Sequence, residues 1–301
     1  MLEELVTLAV RHGASQARGT AISGLTVWKS DTTTGPIMAL FEPEFYLLVQ
    51  GGKRMTIGDH NFEVAAGTCA VASVGMPFSS QVIEASYDRP YCGIELRLDA
   101  GTIASLLPDT PDDPGDLTCS ISFAQVDPTI VEPLTRLLRL LDVPEEVPVL
   151  AKDYERELCF RLLQGPLGPR LRQLCSRNPR LVQIRTAAEW IGRNLDAPFN
   201  VEQLAGRVGM SVTSFHRHFK ALTAHTPLAY RQQLRLLEAR RQLVSGSANV
   251  TAAAFGTGYS SISQFSREYK RAFGNAPIQD IAGAISTDRL VSPTRGTMAA
   301  G

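Results

Sequence analysis

Nothing in the 301 residues approaches the roughly 18 consecutive apolar residues that a membrane-spanning helix needs. Aromatic side chains are scarce at 7%, and there are only five cysteines and five histidines. The cysteines, Cys69, Cys92, Cys119, Cys159 and Cys175, are odd in number and include no C-x-x-C pair. That argues against a disulfide framework and against a zinc knuckle. Each reads as a small buried hydrophobe, and Cys69 or Cys92 could sense oxidants only if exposed with a lowered pKa. No Gly-rich phosphate loop, G-x-S-x-G elbow or H-E-x-x-H occurs, so the sequence offers no enzyme motif. Glu145-Glu146 sits in a proline-flanked loop, where carboxylates are most simply solubilising. The N-terminus, Met1-Leu2-Glu3-Glu4, carries acid where a signal peptide carries base, so the expected location is the cytoplasm, with no membrane contact.

A formal net charge of zero conceals a strong division. Residues 1–180 hold 16 Lys and Arg against 23 Asp and Glu, a balance of −7, whereas residues 181–281 hold 12 against 6, a balance of +6. A basic C-terminal part joined to an acidic N-terminal part points to a polyanionic partner for the former alone.

Periodicity divides the chain at similar places. An amphipathic helix is expected over the first ten or so residues, ending near Gly13. From 22 to 98 the period is two, clearest in Tyr91 to Leu98, with short runs at Phe45 to Gln50, Arg54 to Ile57, Phe62 to Val64, Thr68 to Val74 and Gln81 to Ala85. Glycine-rich breaks and Gly75-Met76-Pro77 separate them, which predicts an antiparallel barrel or sandwich. Residues 108–118 read as a loop, and Pro128 to Leu141 and Val149 to Leu163 as helices before the breaker Gly165 to Pro169. The resulting fold class is α+β: a cupin-like antiparallel β-barrel or sandwich over 1–127, linker helices over 128–178, an all-α domain over 179–285 and a disordered tail over 286–301.

Within the all-α part, Asn200 and Ser211 read as helix N-caps. Small Ala205, turn Gly209 and anchoring Phe215 have the spacing that two helices crossing at a tight turn require. The pattern recurs: Ala254, Gly258, Phe265, Tyr269-Lys270 and Pro277 repeat Ala205, Gly209, Phe215, Phe219-Lys220 and Pro227 at an offset of 49 and then 50. Between the copies, Thr226 caps a helix from Pro227 to Val244 with leucines on more than one side, as expected of a helix packed against both units. Eighteen residues at 1.5 Å rise span about 27 Å, close to the roughly 34 Å between successive major grooves on one face of DNA.

The last hundred residues resemble the AraC/XylS family of bacterial transcription regulators. The resemblance lies in Val201 to Ala205, Ser211 to Lys220, Thr226 to Arg231, Gly258-Tyr259 and Phe265 to Gly274. It departs at Ala276-Pro277-Ile278-Gln279-Asp280, which lacks the Pro-x-x-Tyr-Arg ending of many members. Leu40 to Pro43, Val49 to Lys53 and Arg89 to Tyr91 resemble the N-terminal domain of one branch of that family. The resemblance implies an activator more often than a repressor, promoter DNA and RNA polymerase as partners, and a small-molecule effector.

Burying Phe215, Phe219 and Leu222 leaves Thr213, Ser214, His216, Arg217 and Lys220 as the expected DNA-facing set. Its counterpart in the second unit is Ser263, Gln264, Ser266, Arg267 and Lys270. Arg suits guanine, Gln adenine, and Ser and Thr bases or phosphates, while Lys220 and Lys270, at the C-terminal end of each helix, suit either a phosphate or simply the helix dipole. A barrel interior containing Phe45, Leu47, Ile94 and Leu96 is expected to hold the effector, and the helices from 128 to 163 to form a homodimer or relay the signal. Only His12 and His60 lie in the N-terminal part, with no H-x-H pair, so neither metal nor other cofactor is expected. A cupin-type metalloenzyme with a DNA-binding appendage is the alternative, and the missing histidines argue against it.

Overall fold

The computed structural model describes residues 2–14, 19–107 and 119–280. The expected loop 108–118 and tail 286–301 lie outside these residues. The chain opens with α1 (Glu3–His12) and continues through β1 (Leu25–Ser30), β2 (Ile37–Phe41), β3 (Glu44–Gln50), β4 (Gly52–Ile57), β5 (His60–Ala65), β6 (Thr68–Ala72), β7 (Met76–Glu84) and β8 (Tyr91–Arg97). After α2 (Ala100–Leu106) and β9 (Ile121–Gln125) everything is helical: α3 (Pro128–Arg139), α4 (Val147–Gln164), α5 (Gly168–Cys175), α6 (Pro179–Arg193), α7 (Val201–Arg207), α8 (Val212–Thr223), α9 (Pro227–Val244), α10 (Val250–Gly256) and α11 (Ile262–Phe273).

Two antiparallel sheets, ordered β1-β8-β3-β6-β9 and β2-β7-β4-β5, pack face to face as an open sandwich and not as a closed barrel. Phe41, Tyr46, Leu48, Met55, Ile57, Val64, Phe78 and Tyr91 fill the space between them. The outer face of the five-stranded sheet is also apolar. There Phe45, Leu47, Ile94 and Leu96 meet Leu5, Leu134, Leu138, Leu158 and Leu162 of the surrounding helices. A sheet covered on both sides loses the clean apolar/polar alternation, and the assignment of inner and outer faces above is thereby reversed. Phe45, Leu47, Ile94 and Leu96 face the helical layer, not the interior between the sheets.

One strand also differs at its start. Met76 and Pro77, expected in a turn, open β7, where Pro77 pairs with Leu40 before the ladder to β4 begins at Ser79. A strand's first residues tolerate a missing N–H.

In the C-terminal part the expected caps form. Asn200, Ser211 and Thr226 accept hydrogen bonds from the N–H groups of Gln203, Ser214 and Ala229. Gly209 and Gly258 take φ of +70° and +84°, the left-handed turn that lets α7 cross α8 and α10 cross α11. Strut α9 gives Tyr230 and Leu234 to the core of the first unit, and Leu236, Ala239 and Leu243 to that of the second. Beyond α11, the Asp280 carboxylate binds Arg240 at 2.7 Å and accepts from Tyr269 Oη at 2.7 Å.

The sandwich docks on these helices. Tyr230 Oη donates to the Gly75 carbonyl at 2.9 Å, and the Ser120 N–H to the Leu222 carbonyl at 3.0 Å. Val74 enters the core of the first unit and Met38 that of the second.

Candidate nucleic-acid interface

Helices α8 and α11 carry the same division of faces because apolar residues recur at i, i+4 in both. Phe215, Phe219 and Leu222 are fully buried on α8, and Phe265 and Tyr269 on α11. Thr213, His216, Arg217 and Lys220 are exposed and Ser214 half-buried; Ser263, Gln264, Arg267 and Lys270 are exposed and Ser266 half-buried. Thus each unit presents a donor-rich face anchored by an aromatic stripe.

Several of these side chains have partners that the sequence reading missed. Lys220 Nζ lies 3.4 Å from Asp59 of the sandwich, in the β4–β5 turn whose Gly58 approaches the end of α8. Arg217 Nη2 donates to Nε2 of His218 at 3.3 Å. His218 is only 8% exposed, and burial together with Arg217 and Arg180 lowers its pKa, so the ring stays neutral and can accept. Gln264 Nε2 donates to Glu268 Oε1 at 3.0 Å. Glutamine and glutamate at i, i+4 were a readable signal for that pair. By contrast, 161 residues separate Asp59 from Lys220, and no local pattern connects them.

The inner face of the sandwich holds a polar group that was not foreseen. Lys53 pairs in register with Val64 and Val82 and so points between the sheets. Lys53 is 3% exposed, and its ammonium lies 3.5 Å above the centre of the Tyr46 ring. No ion pair reaches it among the described residues. Burial lowers its pKa to about 8, an effect that Glu95 and Glu44 partly offset. Burial likewise raises the pKa of both glutamates. Tyr46 and Tyr91 share a hydroxyl–hydroxyl hydrogen bond of 2.8 Å beside them, over Gly93, where a Cβ would sit 3.0 Å from Tyr46 Oη. The Trp28 indole N–H is buried short of a well-formed hydrogen bond, although it still favours the charged form of Glu95.

Cys69 and Cys92 are 1% and 0% exposed, and burial pushes both thiols up to about 11, away from the reactive thiolate. Among the described residues no three His, Cys, Asp or Glu side chains are grouped so as to hold a metal ion, and no helix is long and apolar enough to cross a membrane.

Residues 21–170 match the family model for the AraC-type transcriptional regulator N-terminus, and residues 204–281 match a helix-turn-helix domain. The chain is 33% identical over 111 residues to the HTH-type transcriptional activator RhaS of Pectobacterium carotovorum, a stretch covering 36% of this chain and 40% of that protein. It is 31% identical over 93 residues to RhaS of Mannheimia succiniciproducens, covering 31% and 35%. The match therefore spans well under half the length of these curated relatives. Two solved structures of ToxT from Vibrio cholerae share the fold at low identity. One, with an unsaturated fatty acid bound, has a TM-score of 0.59 at 10% identity and covers 88% of this chain and 96% of that one. The other, from strain O395, has a TM-score of 0.55 at 9% identity, covering 86% and 96%. With an AraC-type N-terminal match ahead of a helix-turn-helix match, on a sandwich docked to two helix-turn-helix units, the chain belongs to the AraC/XylS family of transcription regulators.

Proposed function

We propose that this protein is a transcription activator of the cytoplasm that grips promoter DNA with α8 and α11 and answers to a small molecule held by its N-terminal sandwich. The observation that carries the reading is the repeated face: two helices with buried aromatic anchors at matching positions, Phe215 and Phe219 on α8 and Phe265 and Tyr269 on α11, with donor-rich outer sides, in units joined by one continuous helix of 18 residues. Arg217 and Arg267 supply base contacts, Gln264 an adenine contact, and Thr213, Ser214, His216, Ser263, Ser266, Lys220 and Lys270 further base and phosphate contacts. RNA polymerase is the partner that an activator addresses. The helices α3 and α4, where Val149 and Phe160 remain exposed, are the proposed homodimer surface.

With Phe45, Leu47, Ile94 and Leu96 committed to the helical layer, the effector site is proposed on the opposite face, around Lys53, Tyr46, Tyr91, Glu44 and Glu95. A buried ammonium without an ion pair is costly, and a ligand oxygen that accepts from it would offset that cost. ToxT with a fatty acid bound is a relative in fold whose own ligand is organic, which supports a ligand-binding role for this architecture. The docking contacts Tyr230 to Gly75, Ser120 to Leu222 and Lys220 to Asp59 offer a short route from the sandwich to α8. An effector acts along it only by favouring one docked arrangement over another.

The test is duplex binding by the full chain as a function of salt. Steep weakening with salt and protection of two groups of base pairs are expected. Equal affinity for all duplexes, or no duplex binding at all, would overturn the reading.

A further inference from the structure

We propose that Glu268 is a positioning residue for base readout: it fixes the orientation of the Gln264 amide, and His218 does the same for Arg217 at the matching position of the first unit. The inference rests on the DNA-binding reading above and names the residues that set its specificity.

Glu268 divides its two oxygens between two tasks. Oε2 accepts from Tyr259 Oη at 3.1 Å and from the Gln232 amide, which also donates to Tyr259 Oη at 2.7 Å. Tyr259 is 5% exposed and Gln232 belongs to α9, so this oxygen is anchored to the strut and to the turn of the second unit. Oε1 accepts from Gln264 Nε2 at 3.0 Å. A carboxylate only accepts, so it dictates that the nitrogen end of the Gln264 amide lies on its side.

That choice matters for readout. Adenine offers an acceptor at N7 and a donor at its amino group, in a fixed order across the major groove. An amide that rotates freely presents either order. With one Nε2 hydrogen on Glu268, the other hydrogen and Oε1 remain outward in a single sequence, and part of the rotamer entropy is lost before DNA arrives. In the first unit, position 218 corresponds to 268 at the repeat offset of 50. There His218 Nε2 accepts from Arg217 Nη2 and leaves the rest of the guanidinium fork free for a base. One register position thus orients the long reading side chain in each unit, by a different chemistry.

The decisive variant is Glu268→Gln, because it keeps size and fold. Glutamine has one acceptor end where Glu268 uses two. Keeping that end on Tyr259 and Gln232 turns its NH2 toward Gln264 and reverses the Gln264 amide. The experiment first selects duplexes from a randomised library with the full chain. Affinities of wild type, E268Q, Q264A and the double variant are then measured on the selected duplex and its single-base-pair changes, with a thermal melt of each protein.

Wild type is expected to favour adenine at one position by roughly tenfold. In E268Q most of that preference disappears while the melt is retained, and affinity for unrelated duplexes is unchanged or higher, since a negative charge has left the interface. In the Q264A background E268Q should cause no further loss of base preference, because both act on that preference through one side chain. His218→Ala is expected to relax preference at the position that Arg217→Ala relaxes. Equal weakening of E268Q on every duplex, or losses that multiply in the double variant, would overturn the inference and leave the DNA-binding reading intact. A wild type that selects no motif would overturn both.

Discussion

Replacing Lys53 by methionine should stabilise the sandwich, which is an unusual expectation for removing a charge. Lys53 is 3% exposed, and the pKa of its ammonium falls from an ordinary 10.5 to about 8. A lowered folded-state pKa means that the folded form resists the proton more than the unfolded chain does. At 1.36 kcal/mol per pH unit, the fall from 10.5 to about 8 corresponds to about 3 kcal/mol of destabilisation below pH 8. As pH rises from 8 toward 10.5, folded Lys53 loses its proton while the unfolded chain keeps it, so wild-type stability recovers. Methionine, similar in length and uncharged, has nothing to recover. Lys53→Met should therefore exceed wild type by about 3 kcal/mol at pH 7, with the gap closing by about pH 10. Denaturant unfolding followed by fluorescence checks this. One tryptophan of the two, Trp28, lies in β1 of the sandwich, and Trp190→Phe in both proteins isolates its signal. A loss of stability at pH 7, or a gap independent of pH, would refute the claim that the ammonium is buried without an ion pair.

Three further outcomes follow from the same contacts. Lys53→Met should also abolish the response to the effector in a promoter-reporter assay while leaving effector-free DNA binding unchanged; a normal response would remove Lys53 from the proposed site. Asp59→Ala frees Lys220 and removes an acid from the end of α8, so affinity for duplex DNA should rise roughly two- to fivefold at low salt, as expected of an exposed pair, and titration by fluorescence anisotropy checks it. Asp280→Asn leaves Arg240 buried opposite a neutral partner and should cost about 3–5 kcal/mol, seen as faster amide exchange across α11 and loss of the base pairs read by the second unit.

What the sequence shows depends on whether the physics is local. The spacing of Ala205, Gly209 and Phe215, and its repeat, is dictated by sterics within two turns of helix, and both units form with their caps. The exposed sets on α8 and α11 follow from the same spacing. Strand faces are a different matter. Phe45 and Leu47 alternate with Tyr46 and Leu48, all of them apolar, so no alternation tells which face meets helices and which meets the other sheet. Lys53 follows the break Gly51-Gly52 with no local sign of burial and becomes interior only through its pairing with Val64 and Val82. Asp280, which stands within the departure from the Pro-x-x-Tyr-Arg ending, makes its own closure with Arg240 and Tyr269, partners 40 and 11 residues away.

The central claim is that α8 and α11 read two separate groups of base pairs on one duplex. The direct measurement is a footprint of the full chain, alongside Arg217→Ala and Arg267→Ala, on duplexes that it selects. Two protected groups about one helical turn apart are expected, each variant losing about 1–3 kcal/mol and relaxing sequence preference in one group only. A single protected group, or two variants that weaken all duplexes uniformly, would contradict the account.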